Sequence, residues 1–364
     1  MRPGRILLVR LSHLGDVVHA LPIFHGLRAV YPEARLAWAV QPEFAELLDG
    51  LEGLERTVTF ERTGGVRAWP RLWRDLAQLD PDWAIDAQGN LKSALVTLCS
   101  GAARRSGLHR SDWTEAFGAH VLTDAAPALE GARAGHALER SLHLARHVAP
   151  GFDGALPADW LMTRPEEREH ARQRLARLAP AGRAPLRVLH LAAPGDVRSW
   201  PAQRFAELAR GLARRGQRVL VISGPAEEQL GRELALELAD LTAVGHWIGQ
   251  RGLRELAAAF AVAAGEGARL VTCDSGPLHL AAACGLAVTA LSGPQDARRT
   301  GPWPPPGEAG PHRVIVARDR PPCAPCRSRR CTHEDGAVCM SRIEAEQVIE
   351  SLLAGAQEPA VPCG

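Results

Sequence analysis

The sequence contains a single lysine and no long apolar run. Of its 43 lysine and arginine residues only Lys92 is a lysine, a bias that a genome rich in G and C produces through codon choice. No stretch approaches the roughly 20 apolar residues that a membrane-spanning helix requires. The apolar residues at 6–9 form a run too short for a signal peptide. We therefore expect a protein that stays in the cytoplasm.

A strong excess of charge and the common nucleotide-binding motifs are missing as well. The net charge is +2 and the sequence pI is near 8.2, which is too balanced for a nucleic-acid-binding protein. The chain has neither G-x-G-x-x-G nor a Walker A motif, so a nicotinamide-dependent dehydrogenase or a phosphate-loop kinase loses its main support. With 364 residues and an ordinary share of apolar residues, two globular domains are expected.

Short apolar runs alternate with amphipathic helical stretches, which is typical of βαβ units and parallel sheets. Each half opens with a strand, a Gly-Asp pair and a helix, the pairs being Gly15-Asp16 and Gly195-Asp196. The sequence therefore predicts an α/β protein with two Rossmann-like, doubly wound domains that face each other across a cleft. Strands are predicted at 5–11, 35–40, 57–60, 83–87 and 119–122, and then at 187–193, 218–223, 269–273, 287–292 and 312–317.

The domain bounds follow from the same alternation. An N-terminal Rossmann-like domain is predicted at 1–160 and a C-terminal Rossmann-like domain at 186–340. A linker helix region at 161–185 lies between them, and a C-terminal helix and tail at 341–364 complete the chain. Open parallel sheets bind ligands beyond the carboxyl ends of their strands, so two such sheets suit the transfer of a group between two substrates.

Several segments, in this order, resemble glycosyltransferase family 9, the ADP-heptose:lipopolysaccharide heptosyltransferases. They are RLSHLGDVVHALP at 10–22, IDAQGNLKS at 85–93, HALER at 136–140, RSWP at 198–201, DSGPLHLAAA at 274–283, SGP at 292–294 and CM at 339–340. The resemblance extends over nearly the whole chain. It implies a GT-B architecture and the inverting transfer of heptose from ADP-heptose to the inner core of lipopolysaccharide, without a cofactor. It also implies that the domain at 1–160 binds the acceptor and that the domain at 186–340 binds the nucleotide sugar.

Inverting transfer needs a base that takes the proton of the acceptor hydroxyl. Asp16 follows the first strand at its turn into a helix, which places a short carboxylate at the expected edge of the cleft. Capping of the helix N-terminus is the alternative role for an aspartate in this position. The family motif favours Asp16 as the base.

The departing diphosphate needs positive charge or free N–H groups. Asp274, Ser275 and Gly276 open a helix whose N-terminus can bind an anion, and His279 lies one turn further on. The resemblance implies that these four residues bind the nucleotide donor, that Arg198 reaches the diphosphate and that Glu227 contacts the ribose. Where members of the family carry hydroxyl residues just before this arginine, the present chain has Ala193-Pro194.

The implied acceptor is a phosphorylated Kdo–lipid A glycolipid at the inner leaflet of the inner membrane. Lys92 and a basic stretch around Trp69 and Trp73 are the candidate contacts, although a solvated surface is the ordinary explanation of such charges. Arginines near anionic lipid would also hold the enzyme peripherally at that membrane. The candidate basic residues are Arg62, Arg67, Arg71, Arg74 and Lys92, followed by Arg104, Arg105 and Arg110 in a predicted loop.

Four cysteines, Cys323, Cys326, Cys331 and Cys339, fall within 17 residues near the C-terminus. Close pairs suit a tetrahedral zinc or iron ion. Short C-terminal cysteine segments also recur in the family without a catalytic metal, and the GT-B fold that the resemblance implies transfers sugars without a metal. We therefore predict no metal, with these four cysteines as the candidates for a structural site.

Other functions remain open at this stage. The chain could be a heptosyltransferase II or another family 9 transferase that uses a different donor or an adhesin acceptor. From other classes, a non-catalytic sugar-nucleotide-binding protein and a sugar-nucleotide epimerase share the two-domain arrangement. Heptosyltransferase I is favoured by the 86–93 segment and by the arginine-rich helix.

Overall fold

Each half of the chain folds around its own six-stranded parallel sheet. The computed structural model describes residues 3–61, 69–129, 135–307 and 310–354. The chain divides into a first unit, Met1–Arg164, and a second unit, Pro165–Gly364. Numbered within its own unit, each sheet has the strand order 3-2-1-4-5-6, the doubly wound order of Rossmann folds. The predicted α/β class with two Rossmann-like domains is therefore confirmed.

The first unit alternates strands and helices from its first strand onward. Two 3-10 helices, Arg110–Asp112 and Ala116–Val121, lie between its last two strands. Its regular elements are β1 (Arg5–Val9), α1 (Leu14–Val30), β2 (Arg35–Val40), α2 (Pro42–Leu48), β3 (Leu54–Thr59), α3 (Trp69–Leu79), β4 (Trp83–Asp86), α4 (Leu91–Cys99), β5 (Arg104–Gly107), β6 (Asp124–Ala125) and α5 (Ala137–Val148).

The second unit repeats this plan after an opening helix. A 3-10 helix, Pro225–Glu227, precedes its third α-helix. Its regular elements are α6 (Pro165–Leu178), β7 (Leu186–His190), α7 (Ala202–Arg214), β8 (Arg218–Ile222), α8 (Glu228–Glu237), β9 (Val244–Trp247), α9 (Leu253–Gly265), β10 (Arg269–Cys273), α10 (Gly276–Ala283), β11 (Ala287–Leu291), α11 (Ala297–Thr300), β12 (Arg313–Ile315), α12 (Val338–Ser341) and α13 (Ala345–Leu353).

The central strands are almost wholly apolar because helices cover both faces of a parallel sheet. In β1, Ile6, Leu7 and Val9 are fully buried. In the second unit, Phe205 of α7 belongs to the same buried cluster as Ile349 of α13. The C-terminal helix α13 therefore packs on α7 of its own unit.

At the margins of the sheets one predicted strand was wrong and two strands were missed. The strand predicted at 119–122 is part of the 3-10 helix Ala116–Val121, and the short β6 follows it. Strands β5 and β9 were not predicted, because their sequences RRSG and VGHW lack a continuous apolar run.

Arg104 and Arg105 are not loop residues, since both lie on β5. The Arg104 guanidinium stacks 3.9 Å from the centre of the Trp83 ring and pairs with Asp124 at 3.1 Å. Arg105 donates hydrogen bonds to the backbone oxygens of Val121 and Ala102. Both side chains stabilise the edge of the sheet.

Among the described residues, no helix combines the length and the apolar character needed to cross a membrane.

Candidate active site

Each sheet has one point where the order of its strands reverses, and the segments that follow the strands separate there. In the first unit this point lies between β1 and β4, which pair in parallel. In the second unit it lies between β7 and β10. Asp16 follows β1 and Asp274 follows β10, so each aspartate lies at the carboxyl end of a strand beside the reversal.

Asp16 occupies the first turn of α1 and is held by two neighbours. Its Oδ1 lies 2.8 Å from the Arg10 guanidinium. Its Oδ2 accepts a hydrogen bond from the His13 backbone N–H at 3.4 Å and lies 3.6 Å from His13 Nδ1. The carboxylate thus helps to cap α1, but 41% of the side chain is exposed, which leaves it accessible to a substrate.

The pKa of Asp16 is set by two opposing effects. Burial by itself raises the pKa, but the Arg10 charge and the interactions with His13 outweigh burial and hold the pKa below its ordinary value. The side chain is therefore a carboxylate at every physiological pH. It is ready to accept a proton, although a low pKa makes it a weak base until a substrate displaces water from it.

Arg10 was not assigned a role from the sequence, yet it connects the two strands at the reversal. Its Nη1 donates to the Ala87 carbonyl at 2.5 Å, while Nη2 holds Asp16. In the next peptide, the Leu11 N–H donates to Gln88 Oε1 at 2.7 Å. Because only 16% of the Arg10 side chain is exposed, its geometry is fixed by the protein. A basic residue at the end of the strand was the available signal.

The turn after β4 is built by a buried aspartate. Asp86 Oδ1 accepts the backbone N–H groups of Gln88 and Gly89, both at 2.9 Å, and burial raises the pKa of Asp86. Gly89 adopts a φ of +74°, which other residues rarely adopt. Asn90 then caps α4 by accepting the Ser93 N–H at 2.9 Å. This segment of the family motif therefore has a structural role that places α4.

The predicted acceptor contacts lie on elements that follow β3, β4 and β5 of the first sheet. Lys92 is exposed in the first turn of α4, Arg71 and Arg74 are exposed on α3, and Arg110 is exposed in the 3-10 helix after β5. Their contact with an acceptor stays a prediction. Two more of the predicted residues, Arg62 and Arg67, lie outside the described residues.

In the second unit a cavity of about 280 Å³ opens at the carboxyl ends of β7, β8 and β10. It is lined by four of the predicted donor-binding residues, namely Arg198, Glu227, Asp274 and Ser275. Gly276 and His279 are not among its lining residues. The His279 side chain is buried, with its Nε2 3.8 Å from Asp274 Oδ1.

The charges of this cavity form one connected group. Arg198 Nε and Nη2 donate to the two carboxylate oxygens of Asp196 at 2.9 and 2.6 Å. Its Nη1 is 4.0 Å from Asp274 Oδ2. Burial raises the pKa of Asp274 to about 6, because Arg198 and the hydrogen bond from Thr300 offset burial only in part. The cavity therefore holds one arginine between two acids of different proton affinity.

Glu227 and Ser275 occupy the rims of the cavity. Glu227 Oε2 accepts the Gly224 backbone N–H at 3.0 Å, and burial raises the pKa of Glu227. Its carboxylate thus shapes its own turn as well as facing the cavity. Ser275 is the N-cap residue of α10 but makes no side-chain capping bond, and its Oγ lies 3.4 Å from Thr272 Oγ1.

Sequence reasoning missed several lining residues. His190 ends β7, and burial lowers its pKa to about 4, so its ring is neutral near pH 7. Burial raises the pKa of Cys273 to about 12, which keeps it a thiol. Gln250 and Arg251 follow β9, a strand that the sequence did not reveal. Ala193 stands where the resemblance implies a hydroxyl residue, and its backbone carbonyl accepts a hydrogen bond from the Ser199 hydroxyl.

The four cysteines of the C-terminal segment differ in their exposure. Cys323, Cys326 and Cys331 are exposed, whereas Cys339 is buried beside Gly293. Within the described ranges, no three or more histidine, cysteine, aspartate or glutamate side chains are arranged to hold a metal ion.

Comparison with known proteins adds the following findings. The family model of glycosyltransferase family 9 (heptosyltransferase) matches residues 69–336. Lipopolysaccharide heptosyltransferase 1 of Pseudomonas aeruginosa is 29% identical, over 96% of this chain and 97% of its own. A family 9 glycosyltransferase from Veillonella parvula superposes with a TM-score of 0.77 at 19% identity, over 96% of both chains. The structure of the E. coli heptosyltransferase WaaC with ADP superposes with a TM-score of 0.70 at 23% identity, over 96% of this chain and 99% of its own.

Proposed function

The chain belongs to glycosyltransferase family 9, and from this premise we propose that it transfers heptose from ADP-heptose to the Kdo region of a lipid A glycolipid, as a heptosyltransferase I. It is a glycosyltransferase with the GT-B fold. The donor and acceptor are supported by the relative from Pseudomonas aeruginosa, which is named a lipopolysaccharide heptosyltransferase 1, and by the WaaC structure, which contains ADP.

The observation that carries the proposal is the cavity of the second unit. This cavity is lined by Arg198, by Ser275 as the N-cap residue of α10, and by three acids, Asp196, Glu227 and Asp274. A helix N-terminus and a guanidinium together suit a diphosphate, and a carboxylate suits the two hydroxyls of a ribose. A nucleotide diphosphate sugar presents these groups in that combination.

We assign the chemistry as an in-line displacement with inversion. The acceptor hydroxyl oxygen attacks the anomeric carbon from the side opposite the diphosphate, and the Asp16 carboxylate takes the hydroxyl proton. The bond between the anomeric carbon and the phosphate oxygen breaks, and its electron pair leaves on ADP. A positioned base of this kind accelerates a reaction by about 10²–10⁴-fold.

Arg198 is assigned to the leaving group. Two of its N–H groups are committed to Asp196, but Nη1 points toward Asp274 at 4.0 Å, a distance at which a phosphate oxygen could compete for it. Charge-assisted hydrogen bonds to phosphate are stronger than those between neutral groups. Negative charge that develops on the diphosphate therefore strengthens its contact with Arg198 as the bond breaks.

The exposed cations of the first unit are assigned to the acceptor. Lys92, Arg71, Arg74 and Arg110 suit the carboxylates of Kdo and the phosphates of lipid A. We further propose that the enzyme works in the cytoplasm at the inner leaflet of the inner membrane, where such an acceptor is anchored.

The test is transfer by the purified chain from ADP-heptose to Kdo2-lipid A, read by mass spectrometry. A mass gain of one heptose, absent when Asp16 is replaced by asparagine, is the expected result. No gain on this acceptor with a gain on an already heptosylated one would replace the proposal with a heptosyltransferase II. Binding of ADP without transfer to either acceptor would point to another donor or to an adhesin acceptor.

A further inference from the structure

We propose that the first unit docks on a bilayer through an apolar face formed by α3, α4 and the 3-10 helix Ala116–Val121. The face consists of Trp73, Leu91, Leu95, Leu98 and Phe117, which are between 42% and 78% exposed. Its occupant is the interfacial region of a membrane that contains anionic lipids.

The five side chains form one surface because their elements pack on each other. Leu91, Leu95 and Leu98 are spaced four and three residues apart, so they share the outer side of α4, whose opposite side is buried. The Leu91 N–H donates to Glu115 Oε2 at 3.1 Å, which ties the start of α4 to the segment that carries Phe117. At the other end of α4, Val96 and Cys99 pack in the same apolar cluster as Leu72 of α3, the helix that carries Trp73.

Such a concentration of exposed apolar residues is confined to this surface. Among the described residues, the other large exposed hydrophobic side chains are Leu236 and Ile248, both in the second unit. Single exposed apolar residues are ordinary, whereas a contiguous patch marks a surface that binds a partner or a membrane. A tryptophan at the edge of the patch suits the boundary between lipid and water.

The charges around the face indicate which partner it fits. The exposed charged residues of α3 and α4 are Arg71, Arg74 and Lys92, which are all basic. The one acid of these helices, Asp75, is paired with Arg56 at 3.0 Å. The exposed acid beside the 3-10 helix, Glu115, accepts the Leu91 N–H. Basic residues near an anionic leaflet and apolar side chains inserted into it are the two signals that stable peripheral binding needs. Two copies of this face would instead bring like charges together, which disfavours a symmetric dimer.

The face also lies close to the proposed base. Helix α4 begins just beyond the carboxyl end of β4, and β4 pairs with β1, after which Asp16 follows. A bilayer bound at the face would present the sugar of a membrane-anchored acceptor near this edge of the sheet. This last step rests on the proposed function, whereas binding to vesicles does not.

The test compares the wild-type chain with L95Q/L98Q and F117S in sedimentation with vesicles. The vesicles are of phosphatidylcholine, with and without phosphatidylglycerol. The control is L236Q, because Leu236 is a solvent-exposed leucine of a helix in the second unit, with 80% exposure. The wild type should bind the anionic vesicles, less so as salt is raised, and both face variants should bind about tenfold or more weakly. The control should bind as the wild type does.

Activity provides the second readout. On a deacylated, water-soluble acceptor the face variants should match the wild type, while on acceptor embedded in vesicles their rates should fall with their binding. Equal vesicle binding by L95Q/L98Q and wild type would overturn the proposal. A change from dimer to monomer in light scattering without any change in vesicle binding would also overturn it and would identify a second copy as the occupant. If the wild type bound vesicles but transferred no heptose, the proposed function would fail and the docking surface would stand.

Discussion

Two aspartates that follow strands beside the reversal of their sheets have opposite proton affinities. The pKa of Asp16 in the first unit lies below its ordinary value, whereas burial raises the pKa of Asp274 in the second unit to about 6. Each has an arginine nearby, namely Arg10 at 2.8 Å and Arg198 at 4.0 Å. The difference comes from the other bonds of those arginines.

The Arg10 guanidinium contacts the Asp16 carboxylate and the neutral backbone carbonyl of Ala87. Its positive charge therefore acts mainly on Asp16. Arg198 is committed to both oxygens of Asp196, and this second carboxylate adds repulsion to the burial of Asp274. Arg198 therefore lowers the pKa of Asp274 by less than burial raises it, whereas Arg10 and His13 outweigh the burial of Asp16. The first arrangement gives a fixed, ionised carboxylate, and the second gives a buried acid whose charge is only partly compensated.

The strongest test of this contrast removes the proton acceptor of the first unit. Asp16→Asn keeps the shape of the side chain and abolishes its basicity, so kcat should fall by about 10²–10⁴-fold while donor affinity stays near the wild-type value. The measurements are steady-state transfer kinetics and calorimetric titration with ADP. The matched control is Asp80→Asn, since Asp80 pairs with Arg5 at 2.6 Å in the same unit. Full activity of Asp16→Asn would remove the base from this position.

The next largest effect is expected from the arginine of the second unit. Arg198→Ala should weaken donor binding about 10- to 100-fold and lower the rate as well, because a hydrogen bond to a charged group contributes about 1.5–3 kcal/mol. Arg298 offers a matched control, as it forms the same forked contact with Asp296 two residues earlier and is 85% exposed. Equal loss of ADP affinity in Arg298→Ala, or none in Arg198→Ala, would contradict the assignment.

A smaller effect, visible in its pH dependence, is expected from Arg10→Gln. Loss of the positive charge raises the pKa of Asp16, so the carboxylate becomes protonated at a higher pH and the acid limb of the kcat/KM profile moves upward. Between about pH 8 and about pH 5 the variant should therefore lose a larger fraction of its activity than the wild type. Arg5→Gln, which frees Asp80, should leave the profile unchanged. An unshifted acid limb in Arg10→Gln would show that Arg10 does not set the proton affinity of the base.

The sequence was sufficient for the centre of each sheet and insufficient for its edges. β1, β2, β8 and β10 were predicted because each is a continuous apolar run buried between helices. β5 has the sequence RRSG, and its extended form depends on pairing with β4 rather than on its own residues. Such strands cannot be predicted from their own residues, because their extended form depends on pairing with a neighbouring strand.

The same division applies to the candidate site. Motif residues next to glycine turns, such as Asp16 and Asp274, could be placed at the ends of strands from the order of residues alone. The pairing of each arginine with its acid could not be predicted, because the hydrogen bonds from Arg198 to Asp196 depend on side-chain geometry within a loop. Gln250 and Arg251 were missed because they follow β9, which was itself not predicted.

The smallest expected effect concerns stability and follows from the raised pKa of Asp274. Since its folded-state pKa is about 6 against an ordinary value of 3.8, the folded protein binds more protons between these values, and stability decreases as pH rises through that range. At about 1.4 kcal/mol per pKa unit, the burden at neutral pH is at most about 3 kcal/mol. Asp274→Asn should therefore raise the melting temperature by a few degrees at about pH 8 and by less at about pH 4.

Calorimetric melting of the wild type and Asp274→Asn at the two pH values measures this effect. Asp240→Asn is the matched control, because Asp240 is a mostly exposed acid of the same unit and its removal should not change stability with pH in this way. A melting temperature of Asp274→Asn that falls equally at both pH values would mean that the carboxylate stabilises the second unit. In that case the charge of Asp274 would be balanced by Arg198 after all, and the contrast with Asp16 would disappear.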